Sequence, residues 1–315
     1  MTRRLPQRVL WSACGLLLLA ACAAGLASNA RLFTLTLLNG LTLAALYFLV
    51  ASGFTLVFGL MRIVNLAHGS LYLLGAYVGY SIGQASGSWL LALLAGTLAA
   101  ALTGLAMQLL VFRHMEGEDM RQTLVSIGLS IVLADLMLWF WGGDVYQFDA
   151  PEWMTGRMPM PIVSAYPTFR VLVLVAAVGI GLLLWALLNR TRVGLMIRAG
   201  VDDRQMLSAS GVNVHLVFAA TFAIGAGLAG LGGVIGGTVL SISPGEDVRY
   251  LLASLVVVIV GGIGSIYGAA IGALLIGLAE TFGLAYAPTY GVVFTFALLV
   301  LALAFRPEGI VGSQR

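Results

Sequence analysis

RIVNLAHGS, residues 62–70, separates two apolar runs at residues 33–56 and 69–87 with an arginine, an asparagine and a histidine. Hydrocarbon offers such side chains no water, so the stretch reads as a turn at a membrane surface, a break inside a helix, or part of a transport path. Each reading needs a bilayer around the flanking runs.

The rest of the chain agrees. Its 315 residues are 60% hydrophobic and 9% charged, with a mean hydropathy of +1.02, which is too apolar for a soluble domain. All 16 Lys+Arg residues are arginines. Without lysine the chain has no Walker A phosphate loop of its own and no Schiff-base amine. The net charge of +3 comes from arginines scattered among loops, a pattern unlike a nucleic-acid-binding stripe. Cys14 and Cys22 both lie in the first apolar segment, so neither a disulfide framework nor a metal cluster is expected. Arg3, Arg4 and Arg8 precede the apolar run Val9 to Ala27, and Leu19-Ala-Ala-Cys22 is similar to a lipoprotein processing box. A chain with many later spans needs no cleaved signal, and no polar tether follows Cys22. The expectation is a retained first helix.

A span takes about 20 apolar residues. The runs predict an all-α, polytopic transmembrane bundle of about ten helices, or eight to ten if some are broken. They lie near 9–28, 33–56, 69–87, 89–112, 123–142, 169–188, 216–240, 250–262, 265–285 and 289–305. With a cytoplasmic N-terminus, 12 of the 16 arginines fall in cytoplasmic segments, including Arg62, Arg113, Arg121, Arg190, Arg198 and Arg306. That bias predicts both termini in the cytoplasm. Residues 1–315 read as one transmembrane domain, with a cytoplasmic loop at 190–215 within it. The outer segment 142–167 reads as a lid, a docking loop or a plain long connection.

Several motifs bear on function. Gly225, Gly227 and Gly230 match a dinucleotide-binding pattern, but they sit in an apolar run with no preceding strand, so close helix packing is the better account. The four-residue spacings Gly232/Gly236, Gly233/Gly237 and Gly264/Gly268/Gly272 read the same way. Gly261, Gly262 and Gly264 predict an interrupted helix, a feature that often lines a transport path. Gly69-Ser-Leu-Tyr72 and Gly264-Ser-Ile-Tyr267 form a weak internal echo. Asp135 and Glu280 are intramembrane acids, either functional or hydrogen-bonded glue, and His68 stands near a helix start. In loop 190–215, Asp202 is expected to cap a short helix, with Gln205 completing the capping box and Val201 stapling on Met206. Gly211 ends it, leaving Met206 and Leu207 for a partner or the helix flat on the membrane surface, and Arg190, Arg192, Arg198 and Arg204 fit either reading.

The segment Ser52-Gly-Phe-Thr-Leu-Val-Phe-Gly-Leu-Met-Arg62 through Asn65, His68 and Gly69 to Gly75-Ala-Tyr77 resembles the signature of the branched-chain amino acid ABC importer permeases. The resemblance continues through Gly194 to Asn213, Phe222-Ala-Ile-Gly-Ala-Gly, Gly261-Gly-Ile-Gly-Ser-Ile-Tyr-Gly-Ala and Phe305-Arg-Pro-Glu-Gly309, and spans residues 35–312. It implies an inner-membrane permease subunit, not an enzyme, working with a second permease chain, two cytoplasmic ATPases that bind ATP and Mg, and a periplasmic substrate-binding protein. It also implies that Asp203 to Gly211 engages the ATPase, and that Asn65, His68, Gly69 and Ser70 belong to a gate or path. Leu207 departs from an expected alanine and Ala253 from a lysine that many relatives carry. Urea, short amides and simple sugars are the neighbouring substrate classes. An ion-coupled transporter using Asp135 and Glu280 is the alternative of another kind. At 62–70 the residues themselves predict a helix break facing the cytoplasm, with Asn65 or Ser70 capping the next helix.

Overall fold

The structure, a computed structural model, describes residues 7–61, 64–115, 117–306 and 308–311, and the side chains of these except 7–28, 60, 61, 202, 204, 291 and 292. The readings placed on Arg3, Arg4, Arg8, Cys14, Cys22 and Arg62 lie outside the described residues and side chains.

Eleven α-helices carry the described chain: α1 (Gln7–Met61), α2 (His68–Ser86), α3 (Trp89–Leu110), α4 (Asp119–Trp141), α5 (Thr168–Arg190), α6 (Arg192–Asp202), α7 (Arg204–Ala209), α8 (Val214–Val239), α9 (Glu246–Gly261), α10 (Ile266–Tyr286) and α11 (Gly291–Phe305). Asn29–Gly59, Trp89–Met115, Asp119–Trp141, Thr168–Arg190, Val214–Val239 and Ile266–Tyr286 are long and apolar enough to cross a bilayer. The chain is a polytopic helical membrane bundle. Three boundaries differ from the expected set by joining or by four residues. The first two apolar runs join into α1 across a non-helical Asn29, α4 begins at Asp119 rather than 123, and α9 begins at Glu246 rather than 250.

α1 and α8 form the centre, packed on one another and flanked by α2, α3, α9 and α10. Their contacts run through glycine because only a missing Cβ lets two backbones come this close. A Cβ on Gly75 would overlap Gly230, one on Gly225 would meet Val57 and the Gly53 carbonyl, and one on Gly233 would overlap the Tyr72 carbonyl. The predicted packing role of the glycine-rich run therefore holds. Buried hydroxyls return to their own helix: Thr55, Thr221, Thr238 and Ser254 donate to the carbonyl four residues earlier. The faces of α3, α4, α5 and α11 that point out of the bundle are lined by exposed apolar residues such as Leu98, Leu102, Ile131, Val178, Leu182 and Val300. Lipid is as apolar as a leucine core, so these faces need no covering protein.

The bundle has two distinct ends. At one, residues 142–167 fold into a fixed plug. Strands β1 (Arg157–Met158) and β2 (Tyr166–Pro167) pair antiparallel, and Tyr146 and Ile242 exchange backbone hydrogen bonds of 2.8 and 2.6 Å. Phe148, Met154, Val163 and Tyr166 are buried beneath it. The segment is thus a docked cover. At the other end lie α6 and α7, folded back on α5, where Gly194 is required because a Cβ there would overlap Leu187 and Leu188.

Candidate translocation site

The break at 62–70 is deeper than the sequence suggests. Asn65 is 3% exposed, and His68 and Ser70 are fully buried. His68 Nε2 lies 3.0 Å from the Val50 carbonyl, and since a carbonyl only accepts, Nε2 carries the proton. Val50 lies 11 residues before Met61, roughly 16 Å back along α1 at 1.5 Å per residue. α2 therefore starts inside the bundle rather than at a cytoplasm-facing surface. The chain can bury this break because α4 supplies the missing partners. Ser126 Oγ accepts the Leu66 N–H at 3.0 Å, and the Ser70 and Ser130 hydroxyls pair at 2.9 Å. Asn65 Oδ1 accepts the Ala67 N–H at 3.1 Å, closing a turn before the helix, but α2 has Ala67 at its N-cap with no side-chain cap, so neither Asn65 nor Ser70 caps it as the sequence predicts. Ser70 is committed to α4.

Gly69 lets α9 approach: a Cβ there would collide with the Asp247 carbonyl and touch Leu251. Two helix starts, α2 and α9, thus meet within the bundle. Above them Tyr72 stacks on Tyr250 at 3.9 Å between ring centroids, and Tyr47 meets Tyr250 edge-on at 5.9 Å.

Beyond this aromatic layer a cavity of about 370 Å³ opens among α1, α5, α8, α9 and α10, at the end that carries the 142–167 plug. Asn39, Thr42, Arg170, Glu246, Arg249 and Glu280 give it charge and hydrogen-bonding groups, and Leu43, Leu46, Val239 and Leu284 an aliphatic wall. Tyr47 donates to Glu280 Oε2 at 2.6 Å. Arg249 bridges Glu280 at 3.3 Å and Glu246 at 3.5 Å. Arg170 donates to Asn39 Oδ1 at 2.6 Å, and Tyr166 of the plug donates to the same oxygen at 3.1 Å. Plug and cavity are one structure.

The two intramembrane acids part company. Glu280 is tied to Tyr47 and Arg249, whereas Asp135 is exposed on α4, a helix that packs on α2. They do not share a site. The glycine break is as predicted: α9 ends at Gly261, Gly262 and Gly264 have φ of 109° and 78°, and Ser265 caps α10 through the Gly268 N–H at 3.0 Å. Gly264 rests against Gly59 near the end of α1. Two backbone bonds from the chain end, Ile310 to Val260 and Val311 to Gly261, close the carbonyls left at the end of α9.

The 190–215 loop holds two helices rather than one. Asp202 is the last residue of α6, and Asp203, extended at φ −152°, caps α7 by accepting the Gln205 and Met206 N–H groups at 2.8 and 3.0 Å. The cap moves by one residue because Thr191 starts an earlier helix, accepting the Gly194 N–H at 3.1 Å. Gly211 follows in the left-handed region at φ 81°. Met206 is 70% exposed, but Leu207 is buried and unavailable to a partner. Leu195 of α6 is also exposed, and Arg198 donates to Asn189 Oδ1 at 3.3 Å.

A model of the family described as branched-chain amino acid transport system / permease component matches residues 36–303. The chain belongs to this family. The permease is 32% identical over 294 residues to the high-affinity branched-chain amino acid transport system permease protein BraD of Pseudomonas aeruginosa, covering 88% of this chain and 94% of that one. It is 32% identical to LivH of Salmonella typhimurium and 31% to LivH of Escherichia coli, each over 295 residues, 89% of this chain and 96% of the relative. Both carry the same permease description. No solved structure matches the permease. Sequence reasoning missed Tyr47, Ser126, Ser130 and the joint role of Arg249 and Arg170. Arg249 three residues after Glu246 was a readable pairing signal. The reach of α4 serines to residue 66 or 70 had no local signal.

Proposed function

We propose that this permease is the membrane-spanning subunit of a binding-protein-dependent ABC importer that moves branched-chain or related hydrophobic amino acids across a bacterial inner membrane. Its partners are a second permease chain, two cytoplasmic ATPases that bind ATP and Mg, and a periplasmic binding protein. Both termini face the cytoplasm in this reading. The plug and cavity then face the periplasm, and α6 and α7 face the ATPase. The observation that carries the reading is the match over nearly the whole chain to permeases named for branched-chain amino acids. The capped α6–α7 pair supports it, because a short helix held at both ends transmits force where a loose loop does not.

The permease makes and breaks no bond. ATP hydrolysis on the partner chains shifts it between outward-open and inward-open arrangements, and differential contacts in the two states set the direction. The separation of Asp135 from Glu280 argues against carboxylate-coupled transport. The test is uptake of labelled leucine, with unlabelled valine, urea and phenylalanine as competitors, by the complex in proteoliposomes. Uptake is expected to require the ATPases and to be competed by aliphatic amino acids; uptake that persists without ATPases overturns the reading. Gly211→Val strains the end of α7 and is expected to lower substrate-stimulated ATP hydrolysis without altering membrane insertion. Unchanged hydrolysis removes α7 from the coupling path.

A further inference from the structure

The charged cavity has a composition that packing does not require. Two arginines and two glutamates line a space within the roughly 300–1,000 Å³ range of small-molecule sites, next to aliphatic side chains. A purely structural ion cluster would close on itself with short bonds, and charge-assisted pairs settle at about 2.7–2.9 Å. Here the cluster stays open. Arg249 holds Glu280 at 3.3 Å and Glu246 at 3.5 Å, and its side chain remains 45% exposed. Glu280, by contrast, is fixed from behind by the Tyr47 hydroxyl at 2.6 Å, so its other oxygen is presented to the cavity in a set direction.

We propose that this cavity is a station on the transport path that reads the paired α-carboxylate and α-ammonium of a free amino acid, Arg249 taking the carboxylate and Glu280 the ammonium, with the aliphatic side chain against Leu43, Leu46 and Val239. The assignment rests on the reading of the permease as an amino-acid importer. An arriving zwitterion separates Arg249 from Glu280 and replaces each with an opposite charge of its own. When it leaves, the two side chains rejoin, so neither state strands a half-buried charge. A path needs such a site: favourable enough to admit the substrate, yet with an internal competitor that releases it. A solute bearing one charge separates the pair and satisfies half of it, and an uncharged one satisfies neither, so the station discriminates against amines, fatty acids, urea and sugars.

The test uses the complete complex in proteoliposomes with leucine-loaded binding protein, comparing the unaltered permease with Arg249→Gln, Glu280→Gln and the double variant. Arg249→Gln leaves Glu280 and Glu246 without their cation, Glu280→Gln leaves Arg249 with Glu246 alone, and each is expected to lower leucine uptake at least tenfold. The double variant leaves only Glu246 without a cation, one charge fewer than Arg249→Gln, so a merely structural pair predicts that it recovers over that single variant. Recognition of the zwitterion predicts that it stays at least tenfold low while all subunits still co-purify. Leucine uptake within twofold of normal in the double variant, or failure of that variant to assemble, overturns this assignment alone. Absence of leucine uptake by the unaltered complex overturns the amino-acid reading and this assignment together.

Discussion

Two of the breaks between helices among the described residues, at 64–70 and at 261–265, are built on opposite principles. The second is shaped by its own backbone, with only the Val260 and Gly261 carbonyls closed from outside by the Ile310 and Val311 N–H groups. Gly262 and Gly264 adopt φ values of 109° and 78° that L side chains rarely reach, and Ser265 caps the helix that follows. The first has no positive-φ residue among those described and is held from elsewhere, by Ser126 and Ser130 of α4, by the Val50 carbonyl of α1 and by the Asp247 backbone against Gly69. A break encoded by its own backbone tolerates change in its neighbours. A break held by distant side chains is specified only when the bundle has closed, and it moves when those helices move. The second kind is the better place for a conformational step.

The largest expected effect breaks the first site at its closest approach. Gly69→Val drives a branched side chain into the Asp247 carbonyl, and backbone on both sides leaves nothing flexible to yield. Overpacking of this kind costs about 3 kcal/mol. The purified complex should lose thermal stability and recover poorly, and a variant with unchanged melting removes the close α2–α9 contact. Gly262→Ala attacks the second break through its backbone alone. Placing a side chain at φ 109° costs about 2 kcal/mol, with no effect on α2. Hydrogen exchange should quicken at 258–266 and stay constant at 64–70; a coupled change would show that the two breaks are one unit.

How much of this was legible follows from the same distinction. Gly261 to Gly264, the Gly211 terminus and the glycine stripe of α8 were readable because a missing Cβ or a left-handed residue leaves a local mark in sequence. Asn65 was readable as a turn-forming residue because a short amide side chain bonds a nearby backbone N–H. The depth of the break was not, because it depends on Ser126 and Ser130, some 60 residues away and indistinguishable from any other serine in a span. Asp202 was read as the cap that Asp203 supplies, because two adjacent aspartates are equivalent until Thr191 fixes where α6 begins. Glu280 was found as an acid in a span, but its partners Tyr47 and Arg249 come from α1 and α9, so its setting waited on tertiary structure.

Asn65→Ala separates shape from gating. It removes the side-chain acceptor of the Ala67 N–H, worth about 1 kcal/mol, together with an amide Nδ2 that has no partner of its own. If the break moves during transport, uptake falls several-fold while assembly and melting stay near normal. Normal assembly with normal uptake leaves Asn65 a turn-forming residue and nothing more.

The smallest effect is the most discriminating. Ser130→Ala removes the 2.9 Å hydroxyl partner of Ser70, yet the Ser130 carbonyl remains 3.3 Å from Ser70 Oγ and accepts its proton, so no donor is orphaned. The cost should be only about 0.5 kcal/mol, or roughly a twofold rise in local opening. Ser126→Ala is different, since the Leu66 N–H then loses its acceptor in a half-buried position. That orphan should cost about 1–2 kcal/mol and raise exchange near residue 66 about tenfold. If distant serines hold the first break, the two variants rank in this order at 64–70 and leave 261–265 untouched. Equal exchange in both would mean that the break, like its counterpart at Gly262, is fixed by its own backbone.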